Sequence, residues 1–251
     1  MTQDFSGKVV LVTGGSRGLG RAMAMGFARA GADVAIASRK REACEAVAAE
    51  IRALHRRASV HAAHVGRWDD CTRLVDEVHA AMGGIDVLIN NAGMSPLAAS
   101  SAETSEELWD KILSVNLKGP FRLTALAASR MAASGRGGVI INISSIASLR
   151  PTAETAPYSA AKAGLNALTL AFAKEYGPSV RVNGIVAGPF LTDVSKLWAQ
   201  SPEFAERKRR IPLRRAGNPD EIVGAALYLA SDAASYTTGA LLTVDGGAWQ
   251  A

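Results

Sequence analysis

The chain has 251 residues, of which 48% are hydrophobic and 20% charged, a balance typical of one large or two small globular domains and not of a disordered polypeptide. Its two cysteines, Cys44 and Cys71, are too few for a disulfide scaffold and lack metal-ligand spacing. We therefore expect a cytoplasmic protein without a metal site.

The formal net charge is +5, and much of the excess lies between Arg207 and Arg215. This cluster could meet nucleic acid, phosphate or an acidic partner, but it is short and lacks interleaved aromatic residues, so a solvated helix face is favoured. Residues 1–8 lack the pattern of a signal peptide, and no apolar run approaches the ~18 residues that span a bilayer. We expect neither a nucleic-acid nor a membrane partner.

Short β-branched runs alternate with longer alanine-rich helical segments along the whole chain. The seven predicted strands are Val9 to Thr13, Asp33 to Ala37, Ser59 to Ala63, Val87 to Asn90, Val139 to Ile143, Val180 to Ile185 and Leu241 to Val244. Their continuous apolar runs are typical of parallel strands covered by helices on both faces. No change in composition divides the chain, so we predict a single α/β domain over residues 1–251.

A glycine-rich turn follows the first strand and leads into a helix that we expect to begin near Arg21. Its residues Gly14, Gly18 and Gly20 would let the backbone approach a pyrophosphate, and the helix N-terminus would offer unpaired N–H groups. An eight-stranded barrel has similar length and alternation, but this turn favours an open, doubly wound sheet that binds a dinucleotide. A plain strand-to-helix turn is the alternative.

The second predicted strand leads into Ser38, Arg39 and Lys40. An acidic residue at this place holds the ribose hydroxyls of NAD(H), whereas a basic residue accommodates the 2′-phosphate of NADP(H). Asp33 opens the strand and so lies at the opposite edge of the sheet. Together with Arg17 in the glycine-rich turn, this pattern predicts a preference for NADP(H), with NAD(H) still possible.

Polar motifs mark the ends of two later strands. Asn142-Ile143-Ser144-Ser145 ends the fifth strand and Asn90-Asn91-Ala92-Gly93 the fourth, at the edge where open α/β sheets bind ligands. Asn116 lies in a helical stretch between them. Tyr158 and Lys162 are four residues apart in a helical segment, which puts the phenol and the ammonium on one helix face.

In this order, the motifs resemble those of the short-chain dehydrogenase/reductase family, from about Lys8 to the final Asp245-Gly246-Gly247. The resemblance implies a Rossmann-type domain that moves hydride between a nicotinamide and an alcohol or carbonyl carbon. It assigns Tyr158 as general acid/base, Lys162 as the cation that lowers the Tyr158 pKa and contacts the nicotinamide ribose, and Ser145 as the hydrogen-bond donor to the substrate oxygen. Asn116 would anchor a water that relays protons to Lys162.

The resemblance also implies the cofactor contacts. These are Gly14, Ser16, Arg17, Gly18, Leu19, Gly20, Ser38, Arg39, Val65, Asn91, Ala92, Gly93, Tyr158, Lys162, Gly188, Phe190 and Thr192. Residues 90–93 would form the floor of the adenosine and nicotinamide half-sites, and residues 188–192 would close over the nicotinamide. The chain departs from the family at His64, often Asp, and at Ala187, often Pro. This leaves the adenine contact to Val65, and we assign no chemistry to His64.

In this family, three segments grip the substrate, here residues 94–97, 146–156 and about 190–211, the last with a helical lid from Trp198 to Arg210. An apolar wall would come from Ile146, Leu149, Pro151, Phe190, Leu197 and Trp198, and polar contacts from Arg150, Thr152 and Glu154. Oxoacyl thioesters, sugars or gluconate, steroids and small ketones all remain open as the alcohol/carbonyl substrate.

Family members are commonly homotetramers, and the C-terminal strand with Trp249 would suit a subunit contact. A catalytically silent, cofactor-binding regulatory protein of the same fold is the alternative from another functional class. The presence of all four residues Asn116, Ser145, Tyr158 and Lys162 argues against it.

Overall fold

The centre of the fold is a parallel sheet of seven strands in the order β3-β2-β1-β4-β5-β6-β7; the structure, a computed structural model, describes residues 3–193, 195 and 200–250. The strands are β1 Val9–Thr13, β2 Asp33–Ser38, β3 Ala58–Ala62, β4 Val87–Asn90, β5 Gly138–Ser145, β6 Val180–Ala187 and β7 Leu241–Val244. The strand order reverses direction between β1 and β4, as in a doubly wound α/β fold. The predicted fold class is therefore confirmed, and a closed barrel is excluded because β3 and β7 are sheet edges.

Eight helices surround the sheet in the described part of the chain. They are α1 Gly18–Arg29, α2 Arg41–Ala53, α3 Trp68–Met82, α4 Glu106–Leu113, α5 Gly119–Ala133, α6 Ala156–Tyr176, α7 Pro202–Arg210 and α8 Val223–Ala230. A π-helical turn, Ser114–Lys118, joins α4 to α5, and shorter 3-10 turns follow β5 and precede α6 and α8.

The two faces of the sheet bury separate apolar clusters. In β1, Val10 and Val12 face a cluster with residues of α1, α2 and α8, whereas Val9 and Leu11 face one with residues of α3, α5 and α6. Successive side chains of a strand point to opposite faces, so a strand covered on both sides needs an apolar residue at every position. This is the physical reason for the continuous apolar runs in the sequence.

Several element boundaries differ from the predicted ones. Strands β5 and β6 run two residues further than predicted, because Ser144 and Ser145 pair with Val186 and Ala187 although the serines are polar. Helix α1 begins at Gly18 rather than near Arg21. Helix α2 ends at Ala53, since His55 has a left-handed backbone with φ of 59° that a right-handed helix cannot include.

The predicted helical lid is shorter in the structure. Helix α7 begins at Pro202, with Ser201 as its N-cap accepting a hydrogen bond from the Phe204 backbone at 3.1 Å, and it ends at Arg210. Phe204 and Ile211 are buried and attach this helix to the body of the protein. Leu197 and Trp198, predicted for the apolar wall and the lid, lie outside the described residues.

Candidate active site

The glycine-rich turn between β1 and α1 forms a cradle that larger residues would fill. Gly14 and Gly18 have φ of 64° and 54°, and a Cβ on Gly20 would lie 2.3 Å from the Gly14 carbonyl oxygen. Arg17, the N-cap residue, makes no side-chain capping hydrogen bond in the described structure, and the first turn of α1 carries no acidic residue. The free N–H groups and the bare backbone fit the pyrophosphate of a dinucleotide.

Hydrogen bonds from β4 hold this turn in place. The Asn91 side-chain amide donates to the carbonyl oxygens of Thr13 at 2.9 Å and Gly14 at 3.3 Å. Thr13 Oγ1 in turn accepts from the backbone N–H groups of Asn91 at 3.0 Å and Ala92 at 3.1 Å. The anchoring role of Thr13 was missed from the sequence, where the only signal is a hydroxyl residue ending an apolar strand.

The end of β2 lies beside the same turn, since the Gly14 backbone N–H donates to the Ala37 carbonyl at 2.8 Å. The next residues are Ser38, which is half-buried, and Arg39, which is exposed, as is Arg17 in the turn. Asp33 lies at the opposite end of β2 and accepts from the Arg57 backbone at 2.9 Å. The two predicted cations thus lie at the carboxyl edge of the sheet and the carboxylate does not.

Helix α6 carries the predicted acid/base pair. Lys162 is only 3% exposed, and its ammonium donates to the Ile143 carbonyl in β5 at 2.8 Å and lies 5.7 Å from the centre of the Tyr158 ring. The Ser145 side chain lies close enough to the phenol of Tyr158 to influence the Tyr158 pKa. The structure therefore brings together the three predicted residues on β5 and α6 at the carboxyl edge of the sheet.

Burial dominates the ionisation of this pair. It lowers the pKa of Lys162 to about 8 and raises the pKa of Tyr158 above its ordinary value, and only the neighbouring Ser145 hydroxyl opposes the latter change. The prediction that Lys162 brings the Tyr158 pKa below its usual range is therefore wrong for the protein alone. Tyr158 stays protonated near neutral pH, the form that can donate a proton.

Asn116 lies fully buried in the π-helical turn, and its side chain is occupied by backbone groups. Its amide nitrogen donates to the carbonyls of Met94 at 2.8 Å and Ile112 at 2.9 Å, and its oxygen accepts from the Met94 N–H at 3.2 Å. A Cβ on Gly93 would lie 3.0 Å from that oxygen and 3.7 Å from the Lys162 nitrogen. Asn116 thus fixes the 93–94 backbone directly beside Lys162.

Two residues predicted near the cofactor belong to the core. Asn90 is 2% exposed and donates to Thr124 and Asn142, each at 2.9 Å, so it crosslinks β4 to α5 and β5 and does not form the floor of the site. The ring of Phe190 is 6% exposed and packs on Gly217. Because both side chains are buried in the core, any contact of these two residues with a cofactor would come from their backbone.

The segment after β6 nevertheless reaches the glycine-rich turn. A Cβ on Gly18 would lie 3.3 Å from the Thr192 methyl group, and Gly188 packs so closely on Asp245 that a Cβ would lie 2.5 Å from the Asp245 Cβ.

Val65, beyond the end of β3, is 8% exposed. The neighbouring His64 uses its ring Nδ1 to accept from the Gly66 N–H at 3.1 Å, which closes its own turn.

The described residues contain neither a cluster of metal ligands nor a membrane-spanning helix. Among the described residues, no group of three His, Cys, Asp or Glu side chains is arranged to hold a metal ion. Within the same residues, no helix is long and apolar enough to cross a membrane.

Comparison with known proteins agrees with this geometry. A family model described as enoyl-(acyl carrier protein) reductase matches residues 14–248. The chain is 41% identical over 246 residues to L-rhamnose 1-dehydrogenase (NAD(P)(+)) of Azotobacter vinelandii, covering 96% of each chain. It is 40% identical over 253 residues to 2-dehydro-3-deoxy-D-gluconate 5-dehydrogenase of Pseudoalteromonas atlantica, covering 98% of each.

A solved structure resembles the whole chain. It comes from Beutenbergia cavernae, is assigned as an NAD(P)-dependent gluconate 5-dehydrogenase and contains NADP at low occupancy. The two chains share 36% identity, each is covered completely, and the TM-score is 0.94.

Proposed function

Because the chain belongs to the short-chain dehydrogenase/reductase family of Rossmann-type, NAD(P)-dependent oxidoreductases, we propose that it interconverts a secondary alcohol and a ketone with Asn116, Ser145, Tyr158 and Lys162 as its catalytic residues. The observation that carries this proposal is the convergence on Tyr158 of the Ser145 side chain and the buried ammonium of Lys162, which lies 5.7 Å from the centre of the Tyr158 ring.

The proposed chemistry follows from the protonation of Tyr158. In the reduction, a nicotinamide held at this site would provide the hydride that the carbonyl carbon needs. Tyr158 gives its phenolic proton to the carbonyl oxygen, and Ser145 hydrogen-bonds to that oxygen as negative charge develops there. Lys162 is charged below pH about 8 and stabilises the phenolate that Tyr158 leaves behind. In the oxidation, the phenolate takes the proton of the alcohol.

NADP(H) is the proposed cofactor. The adenosine 2′-phosphate would lie between Ser38, Arg39 and Arg17, since the turn carrying Arg17 is hydrogen-bonded to the end of β2. The pyrophosphate would be surrounded by the glycine-rich turn, that is by Gly14, Ser16, Gly18, Leu19 and Gly20. The adenosine and nicotinamide half-sites would be lined by Val65, Asn91, Ala92 and Gly93. The site would be closed by Gly188, the backbone of Phe190, and Thr192. Lys162 and Tyr158 would meet the nicotinamide ribose.

A sugar or sugar acid is the substrate class that we propose. Two of the relatives described above act on rhamnose and a deoxygluconate, and the similar solved structure is assigned to gluconate. The segment after Ser145 presents the exposed polar residues Arg150, Thr152 and Glu154. These provide hydrogen-bonding groups suited to a polyhydroxylated substrate.

A tetramer in the cytoplasm is the proposed state of the protein. Strand β7 is a sheet edge, its residues are half-exposed, and Trp249 beyond it is 37% exposed. A second apolar surface, a groove of about 650 Å³, is lined by Leu113, Leu117, Phe121 and Leu168. Cys44 and Cys71 are both free and buried, which is compatible with a reducing compartment.

The proposal is tested by following NADPH consumption with a panel of keto sugars and keto sugar acids, β-ketoacyl thioesters, steroid ketones and small diketones. The Tyr158→Phe variant serves as control, since it keeps the ring but loses the proton; we expect turnover to fall by roughly 10²-fold or more while NADPH still binds. Turnover by Tyr158→Phe at the wild-type rate would contradict the catalytic assignment. NADPH binding without turnover of any compound would favour the regulatory alternative.

A further inference from the structure

A hydrogen-bonded chain links Ser145 to helix α6 through two residues that the proposed mechanism does not use. Ser145 ends β5 and is followed by the 3-10 turn Ile146–Ser148. At the end of that turn, the Ser148 hydroxyl donates to the Ser145 carbonyl at 2.6 Å. It accepts from the side-chain amide of Asn166, in α6, at 2.9 Å.

Ser148 uses its full hydrogen-bonding capacity in this chain. A hydroxyl has one proton and two lone pairs. The proton goes to Ser145, one lone pair faces Asn166, and the other faces the Ser144 hydroxyl at 3.4 Å. Because the single proton is already committed, only the nitrogen end of the Asn166 amide can face Ser148.

The same contacts restrict the Ser145 side chain. Its Oγ accepts the Ala147 N–H at 3.2 Å, as the N-cap of the 3-10 turn, while its carbonyl is held by Ser148 from the end of that turn. The turn is thereby fixed at both ends, and with it the position of the Ser145 hydroxyl.

Asn166 extends the catalytic face of α6. Tyr158, Lys162 and Asn166 follow one another at intervals of four residues, which places them along one side of the helix. Asn166 is 9% exposed, and its Oδ1 has no hydrogen-bond partner among the described residues. An unpaired buried acceptor costs about 1–3 kcal/mol, so a leucine would suit the packing better and the amide needs another reason.

We propose that Ser148 and Asn166 are positioning residues that hold Ser145 in register with Tyr158 and the substrate oxygen. The proposal rests on the roles given above to Ser145 and Tyr158. It adds that the serine on β5 and the tyrosine and lysine on α6 keep their mutual distances through this hydrogen-bonded chain and not through backbone packing alone.

The test observes the Tyr158 phenol directly and needs no substrate. In intact protein labelled with ¹³C at the ζ carbon of its four tyrosines, the Tyr158 signal is identified by its loss in Tyr158→Phe. Ser145→Ala removes the hydroxyl that lowers the Tyr158 pKa and should move this signal. We expect Ser148→Ala and Asn166→Leu to move it in the same direction, and Asn166→Leu to add nothing when combined with Ser145→Ala.

Two variants act as controls. Ser148→Thr keeps the hydroxyl and should leave the Tyr158 signal at its wild-type position. Thr169→Val removes a buried hydroxyl from the same helix, one that accepts from Asn142 at 2.9 Å, without touching Ser148, and should also leave the signal unmoved. Asn166→Leu should fold about as stably as wild type, because the removal of the unpaired oxygen offsets the loss of the hydrogen bond to Ser148.

The outcomes separate the two proposals. A wild-type signal in Ser148→Ala and Asn166→Leu, with a shifted signal in Ser145→Ala, would overturn the positioning role and leave the proposed function intact. An unmoved signal in Ser145→Ala would contradict the link between Ser145 and Tyr158 on which both rest. With an active ketone from the panel, we expect kcat of Asn166→Leu to fall about 10-fold. The Kd of this variant for NADPH should not change, since neither Ser148 nor Asn166 is among the residues proposed to contact the cofactor.

Discussion

The ammonium of Lys162 is the most deeply buried cationic group of the proposed site. Burial lowers its pKa from 10.5 to about 8, so the unfolded chain binds more protons than the folded protein between these pH values. The contribution of Lys162 to the free energy of unfolding therefore rises as the pH increases from about 8 to 10.5. Below pH 8, keeping the charge buried costs about 3 kcal/mol, at 1.36 kcal/mol for each pKa unit.

This linkage predicts the behaviour of Lys162→Met. The variant lacks the buried charge, so its stability relative to wild type should be highest near pH 7 and should fall by about 3 kcal/mol between pH 8 and 10.5. The measurement is the free energy of unfolding by urea at several pH values. Lys174→Met is the matched control, since Lys174 is exposed on the same helix, and its difference from wild type should not vary with pH in this way.

Substitution of glycine by alanine should have opposite effects on stability at Gly20 and Gly224. In Gly20→Ala, the new methyl group would meet the Gly14 carbonyl and the Asn91 amide, so we expect a loss of about 1–3 kcal/mol in stability and much weaker NADPH binding. In Gly224→Ala, on the exposed side of α8, no atom lies within 4 Å of the added carbon. That variant should gain up to about 1 kcal/mol and bind NADPH normally. Thermal unfolding and cofactor titration would distinguish the two.

At the scale of elements, the end of β2 decides the proposed cofactor preference. Arg39→Asp places a carboxylate where ribose hydroxyls would bind, and repels a 2′-phosphate. We expect NADPH affinity to fall about 10-fold or more and NADH affinity to hold or rise. Lys40→Ala is the neighbouring control and should leave both affinities near wild type. Equal wild-type affinities for the two cofactors, measured by fluorescence titration, would contradict the preference.

Helix α6 shows how one element can combine structure and chemistry. Its buried face carries Phe172 and Ala173 into the core, while Tyr158, Lys162 and Asn166 lie in the N-terminal half of the helix. A shift of this helix against β5 would change the distance from Tyr158 to Ser145. The contact between Lys162 and the Ile143 carbonyl opposes such a shift at the level of the side chains.

At the scale of the whole molecule, the sheet ends in an edge strand, β7, whose residues are half-exposed. An uncovered apolar edge favours association with another chain. We expect light scattering to give four times the chain mass, and Trp249→Arg, beside β7, to give smaller species. Leu54→Arg, at the end of α2 near the opposite edge of the sheet, should remain tetrameric. A monomeric wild type would refute the proposed assembly.

The order of elements, the parallel sheet and the location of the motifs follow from the sequence by itself. A strand buried on both faces requires apolar residues throughout, and glycine is needed where the backbone is left-handed or closely approached, as at Gly14 and Gly20. The four-residue spacing of Tyr158 and Lys162 fixes their shared helix face. These are local constraints, which act over a few residues and can be recognised in the sequence without the fold.

Only the tertiary structure decided which way side chains face and what surrounds them. Phe190 and Asn90 turned out to be core residues, and the Tyr158 pKa is raised because burial outweighs the opposing effect of the Ser145 hydroxyl. The chain from Asn166 through Ser148 to Ser145 likewise joins residues from separate elements. Burial and hydrogen-bond partners depend on residues distant in sequence, so they are fixed when α6 packs on β5 and not before.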